Sequence, residues 1–363
     1  MLGCDADAAS FMIVWPRLLI GFVVLISTEM FSGASVTSGL WSPWTWIMTF
    51  WLYFAHFFFF TTLAVRTGRT SLGSLYLWGV LFGLYESWIT KVIWHGYSGD
   101  GKFVLGSIGP YGFSEISMAF LFHPVMAFIL PLAVACLLCP PLRRLFPDLA
   151  WFTGTSRWAR LMRVYVVISF GATLGMNSGG PVNLVLNVAF VVILLVVLWR
   201  LARSGLAAAD GWPLVVFGRR GFIGLCLYLV LLYGVTYVYL RPDGLPSPAV
   251  QLLTLVFYAA CLLGLKLGRR RAVRTDAMPE IEPAELRRVG VVFVSVLGLS
   301  LLLSFSVLKP AVYRLVVANF IVWTPLGFFL TALALARGWR EWRVRRAECT
   351  PVRSCTAEES PLA

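Results

Sequence analysis

The sequence is short of charge. Asp, Glu, Lys and Arg make up 13% of its 363 residues, about half the share of an ordinary soluble domain. Acidic residues number 17 and histidines only three. With hydrophobic residues at 59% and a mean hydropathy of +0.81, this scarcity excludes a soluble globular domain, a disordered chain and a fibrous repeat. The apolar stretches are continuous and lack the alternation of barrel strands. The fold class that remains is all-α: a polytopic helical membrane protein.

Several chemistries are missing as well. The chain has no HExxH spacing, no GxSxG elbow and no Walker motif. It also lacks the Glu-Glu-x3-Arg pattern of intramembrane prenyl-protein proteases. Cys136 and Cys139 have CxxC spacing just before Pro140-Pro141, but a zinc ribbon needs a second such pair, and there is none. No metal site and no cofactor is expected. The formal net charge of +13 does not point to nucleic acid, because the basic residues stand in short clusters between apolar runs. The partner expected is the lipid bilayer.

A span needs roughly 20 apolar residues, and the apolar runs predict about ten: 11–31, 43–65, 72–94, 114–138, 162–177, 183–202, 221–240, 248–267, 289–308 and 312–336. With the N-terminus in the cytoplasm, inner segments collect nearly all of the 30 Lys and Arg. Only Lys91, Lys102, Arg241, Lys309 and Arg314 are left outside. This alternation places both termini in the cytoplasm and the protein in the cytoplasmic membrane. Asp5 and Asp7 without a base before them argue against a signal peptide, so the first apolar run is expected to be an uncleaved span.

Three parts are expected along the chain. Residues 1–138 form four helices that carry the polar and aromatic residues, residues 139–336 form six apolar helices, and residues 337–363 form a basic tail that ends in a disordered polar stretch. Gly79 with Gly83, and Gly171 with Gly175, have the spacing that lets helices approach closely.

Ionisable residues inside spans are costly, so each raises a functional question. Glu29, His56, Glu86, Lys91, Glu115 and His123 all fall in the first four spans. From the 1.5 Å helical rise, Glu86 and His123 lie roughly 12–13 Å from the outer ends of adjacent antiparallel spans. They are expected to meet near mid-membrane as a proton relay or general acid–base pair. Lys91 and Glu115 lie within about 5 Å of the outer surface, where a second charge pair is expected. Pro124 after His123 predicts a kink that widens a cavity there. His56 is expected to be a hydrogen-bonded core residue. Glu29, Lys91, His95 and Glu115 are the candidate substrate-binding residues of a polar cleft that opens outward.

Three functions fit this pattern. The first is a secondary transporter or channel for a small solute or ion, with Glu86 and His123 as its polar site. The second is a membrane-embedded enzyme acting on a lipid or lipid-linked substrate. The third is an assembly subunit whose buried charges only fix helix packing.

Overall fold

The computed structural model describes residues 4–32, 42–98, 100–208, 211–271 and 281–348. The polar end of the tail expected from sequence lies outside these. Helix α1 (Cys4–Leu25) runs on into a π-helical turn, Ile26–Met30, and a second π turn, Thr45–Thr49, leads into α2 (Phe50–Arg66). Then come α3 (Leu72–Gly83) and, after a 3-10 turn at Leu84–Ser87, the single turn α4 (Val92–His95). A two-stranded hairpin, β1 (Ser107–Ile108) with β2 (Tyr111–Gly112), closes the following loop. Helix α5 (Phe113–Ser117), the π segment Met118–Ile129 and α6 (Leu130–Leu138) make one long span. The later helices are α7 (Arg157–Asn177), α8 (Pro181–Ala208), the short α9 (Trp212–Val215), α10 (Arg219–Tyr239), α11 (Pro248–Leu267), α12 (Pro283–Leu303) and α13 (Lys309–Glu348).

Among the described residues nine helices are long and apolar enough to cross a membrane. The chain is therefore a multi-pass helical membrane protein. The predicted segment 72–94 is absent from the nine because it is not one continuous helix. Helix α3 has 12 residues, about 18 Å, too short for a hydrocarbon core of about 30 Å. The chain nevertheless travels most of the length of α11. Arg69 donates to the Lys266 carbonyl at 2.8 Å, Tyr258 donates to the Leu84 carbonyl at 2.6 Å, and Trp94 donates to Thr254 at 3.3 Å. The broken segment thus runs antiparallel to α11 along most of that helix.

The helices divide into a centre and a ring. The helix spanning 113–138 is mostly buried inside the protein, whereas 283–303 is mostly exposed. Helices α8, α10, α11 and α12 turn Leu and Val outward, as a lipid-facing surface requires. The centre is aromatic: Phe57, Phe58, Phe82 and Phe128 are fully buried. It is also close-packed where glycine allows. A Cβ at Gly79 would stand 2.5 Å from Pro124 Cα, and one at Gly83 would strike the backbone of Ala119. The expected small-residue stripe of α3 therefore seats the π segment of the neighbouring span directly on it. Gly171 and Gly175 do the same for α7 against Leu299 and Ser300 of α12.

One polar clamp fixes the arginine-rich end of this centre. Asp148 accepts from the Leu72 amide at the first turn of α3 (2.9 Å) and from Arg271 (2.8 Å). Burial acts to raise its pKa, but these hydrogen bonds and the charges of Arg271 and Arg337 outweigh it and hold the carboxyl below its ordinary value. A depressed acid stabilises the fold above its unfolded pKa of about 3.9, and this contribution is lost as pH falls through the lower folded value. Asp148→Asn is therefore expected to cost on the order of 1 kcal/mol near neutral pH. It should also flatten the acid limb of a thermal-melting series as pH falls below the unfolded value of about 3.9. An unchanged acid limb would assign that limb to another carboxylate.

Candidate functional site

Irregular backbone converges on one place in the bundle. Glu29 sits in the π turn Ile26–Met30, His123 in the π segment Met118–Ile129 with Pro124 beside it, and Glu86 in the 3-10 turn that ends α3. Each departure from α-helical geometry rotates a polar side chain inward and leaves carbonyls that need partners. The Met118 carbonyl is one of these, and it accepts from His123 Nδ1 at 2.9 Å.

The expected meeting of Glu86 and His123 is present in the structure. Glu86 Oε1 lies 3.7 Å from His123 Nε2, with both side chains buried. That is ion-pair distance, slightly beyond a direct hydrogen bond. Thr90 donates to Glu86 Oε2 at 2.5 Å. The direct hydrogen bond of His123 Nε2 is to Tyr85 Oη, at 3.0 Å. Tyr85 Oη is 3.1 Å from Tyr53 Oη, and Tyr53 Oη is 2.7 Å from Glu29 Oε1. A continuous hydrogen-bonded chain therefore joins Glu29 to His123 through two tyrosines.

The proton count of this chain is restrictive. A carbonyl only accepts, so Nδ1 of His123 carries a proton. Each tyrosine owns one proton to donate. In one fully satisfied arrangement a protonated Glu29 donates to Tyr53, Tyr53 to Tyr85, and Tyr85 to neutral His123. In the other, protonated His123 donates to Tyr85, Tyr85 to Tyr53, and Tyr53 to ionised Glu29. The two differ by one proton moved from end to end, and in the second the imidazolium faces the Glu86 carboxylate.

The Glu29 end opens into a cavity of 220 Å³ whose lining includes Glu29, Tyr53, Tyr85, Thr90, Trp44 and Arg241. Arg241 reaches it from the end of α10, with φ of 49° and its guanidinium donating to the carbonyls of Gly96 (3.1 Å) and Tyr97 (2.9 Å). Tyr53, Tyr85, Thr90 and Arg241 were not among the site residues expected from sequence, because charge inside spans does not single out hydroxyls, and Arg241 lies in the loop after its span. The one available signal was the adjacency of Tyr85 to Glu86.

The other candidates are placed elsewhere. Lys91, fully buried with φ of 55°, donates to the Thr236 carbonyl at 2.8 Å and to that of Leu240. It caps the C-terminus of α10, where a cation is favoured by the helix dipole, and its side chain forms no ion pair with Glu115 among the described residues. Glu115 is instead held by the Ser114 hydroxyl at 2.8 Å. The expected outer charge pair is thus replaced by two local arrangements, because the break after α3 turns Lys91 toward α10. His95 Nε2 lies 3.2 Å from Asp243 in the loop between α10 and α11. His56 is hydrogen-bonded at both ring nitrogens, to the Leu52 carbonyl (2.8 Å) and Tyr233 (3.0 Å). Cys136 and Cys139 are buried free thiols. Among the described residues no three His, Cys, Asp or Glu side chains are grouped to hold a metal ion.

A second, larger cavity of 420 Å³ lies beside the site, between α7, α13 and the π segment. Its wall is mostly apolar and includes Met118 and Phe122, the residues whose carbonyl and ring flank His123.

Comparison with known proteins places the chain without assigning it a chemistry. The sequence profile of a family described as an uncharacterized membrane protein family matches residues 18–341. A protein of Archaeoglobus fulgidus, described as an uncharacterized protein, is 37% identical over 118 residues, which cover 32% of this chain and 36% of that protein. The chain thus matches about a third of the length of that relative. No solved structure matches it.

Proposed function

The chain belongs to this family of membrane proteins, and from that premise we propose that it is a proton-coupled secondary transporter for a small polar solute. The observation that carries the reading is the hydrogen-bonded chain from cavity-lining Glu29 through Tyr53 and Tyr85 to His123 and Glu86. A solute bound between Glu29 and Arg241 favours ionised or protonated Glu29 according to its own charge. The chain then passes that change to His123, where Glu86 stabilises the imidazolium. Coupling of this kind needs two proton arrangements of similar energy, and the inventory of donors supplies two. The break after α3 supports the same reading, since discontinuous helices recur at transporter binding sites.

In this reading the arginine-rich face is cytoplasmic, the membrane is the cytoplasmic one, and the cavity opens outward. External thiol labelling of Lys102→Cys but not of Arg270→Cys checks that orientation. The function is tested in proteoliposomes containing a trapped pH dye, by adding candidate solutes outside. A transporter acidifies or alkalises the lumen on addition of one class of solute. A panel that yields no proton movement sinks the proposal.

One observation favours a second reading. The 420 Å³ apolar cleft against Met118 and Phe122 has the size and lining for a hydrocarbon chain, as an enzyme acting on a lipid-linked substrate requires. In that case His123 and Glu86 act as the acid–base pair. Turnover of lipid in mixed micelles, without any solute-driven proton movement, would select it.

A further inference from the structure

A groove of 460 Å³ opens between α7 and α12, far from the Glu86–His123 site. These two helices start together at the arginine-rich end and run in parallel, with Arg163 and Arg288 both reaching the loop at 152–154. Four arginines line the mouth of the groove: Arg160, Arg163, Arg287 and Arg288. Among the described residues no carboxylate lines it. The nearest one on α12, Glu285, is already engaged by Arg143 at 2.7 Å and Thr153 at 2.9 Å. Arg163 is pinned through Nη1 to the carbonyls of Phe152 (2.6 Å) and Gly154 (2.9 Å), and Arg288 through Nε to that of Thr153 (2.6 Å). Their remaining N–H groups are therefore held in fixed positions at the groove, while Arg160 and Arg287 are exposed beside them.

Past the arginines the lining changes character. Val164 and Ile168 on α7, and Val291 and Val292 on α12, continue the groove away from the charged end. From Arg160 to Ile168, and from Arg287 to Ser295, the wall descends about 12 Å along the helix axes. The order of charge first and hydrocarbon below matches the cross-section of a lipid leaflet. Four cations crowded beside a single carboxylate, Glu285, that Arg143 already pairs, repel one another, and a doubly hydrogen-bonded phosphate is the group that arginine forks accommodate best.

We propose that this groove is a binding site for one anionic phospholipid. The phosphate sits among Arg160, Arg163, Arg287 and Arg288, and an acyl chain lies along the valine and isoleucine wall. The site is independent of the transport reading. Bound there, the lipid joins α7 to α12 at the end where their Gly171 and Gly175 contacts do not reach.

The test is lipid retention by the full chain, measured by native mass spectrometry after exchange into nanodiscs of phosphatidylglycerol or of phosphatidylcholine. The double variant Arg160→Gln/Arg287→Gln spares the pinned arginines and their loop contacts. Arg200→Gln/Arg203→Gln removes two exposed arginines from α8 as a control for the general charge of that face. Wild type and control are expected to retain one phosphatidylglycerol that phosphatidylcholine does not replace. The groove variant should bind it about thirtyfold more weakly, since each basic residue at an anionic surface contributes about 1 kcal/mol and about 1.4 kcal/mol is tenfold. Equal loss in groove variant and control would overturn the site, as would retention unchanged by the groove variant. Displacement of the lipid by millimolar inorganic phosphate would make the ligand a free anion and overturn it too.

Discussion

Glu86→Gln is expected to abolish proton-coupled activity while leaving folded protein in the membrane. Glutamine keeps the shape and the hydrogen bond from Thr90, but it carries no charge to face His123. The arrangement with protonated His123 then leaves an imidazolium buried without its counter-ion. Losing one partner of a buried pair costs about 3–5 kcal/mol. At about 1.4 kcal/mol per tenfold, the protonated-histidine arrangement falls in population by about two to three and a half orders of magnitude. The proton remains at Glu29, and coupling stops. Solute-driven proton movement in proteoliposomes, set against a thermal melt of the same preparation, reads both halves of this expectation. Full coupling in the variant would remove the pair from the mechanism. Loss of the folded protein would reduce it to a packing contact.

Tyr85→Phe should be nearly as damaging for a different reason. The ring is retained, and with it the contacts to Phe82, His56 and His123, but the hydroxyl that links Tyr53 to His123 is gone. Proton movement is expected to fall about a hundredfold, within the range for losing a positioned proton-transfer group. The stability cost is about 1–3 kcal/mol for the partners left unsatisfied. Tyr53→Phe should give the same defect. Because the two hydroxyls act in series, the double variant should be no worse than either single one. Additive losses would mean that the tyrosines act on separate processes.

Hydropathy alone revealed much of this architecture, since a span in lipid must be apolar and helical. Nine of the predicted spans match long helices of the described chain. The tenth segment was recognisable as apolar, but its break was not. A 3-10 turn after Gly83 and a left-handed Lys91 depend on tertiary partners, the Ala119 backbone and the end of α10, which no local pattern encodes. Equal depth in antiparallel neighbours was enough to bring Glu86 to His123. The same depth rule failed for Lys91 and Glu115, because depth says nothing of the direction in which a side chain turns. The tyrosines that complete the chain were invisible to a rule based on charge. A buried hydroxyl costs little by itself and draws attention only once its neighbours are known.

In the proposed mechanism one proton is shared between Glu29 and His123 through Tyr53 and Tyr85. Infrared difference spectroscopy of the protein in lipid, recorded as pH or bound solute shifts the balance, tests it most directly. The expected result is reciprocal: the protonated-carboxyl band of Glu29 gains intensity as the imidazolium signal of His123 is lost. In Glu29→Gln that carboxyl band should vanish and the imidazolium change should shrink with it. An imidazolium signal that responds identically in wild type and Glu29→Gln would contradict the shared proton.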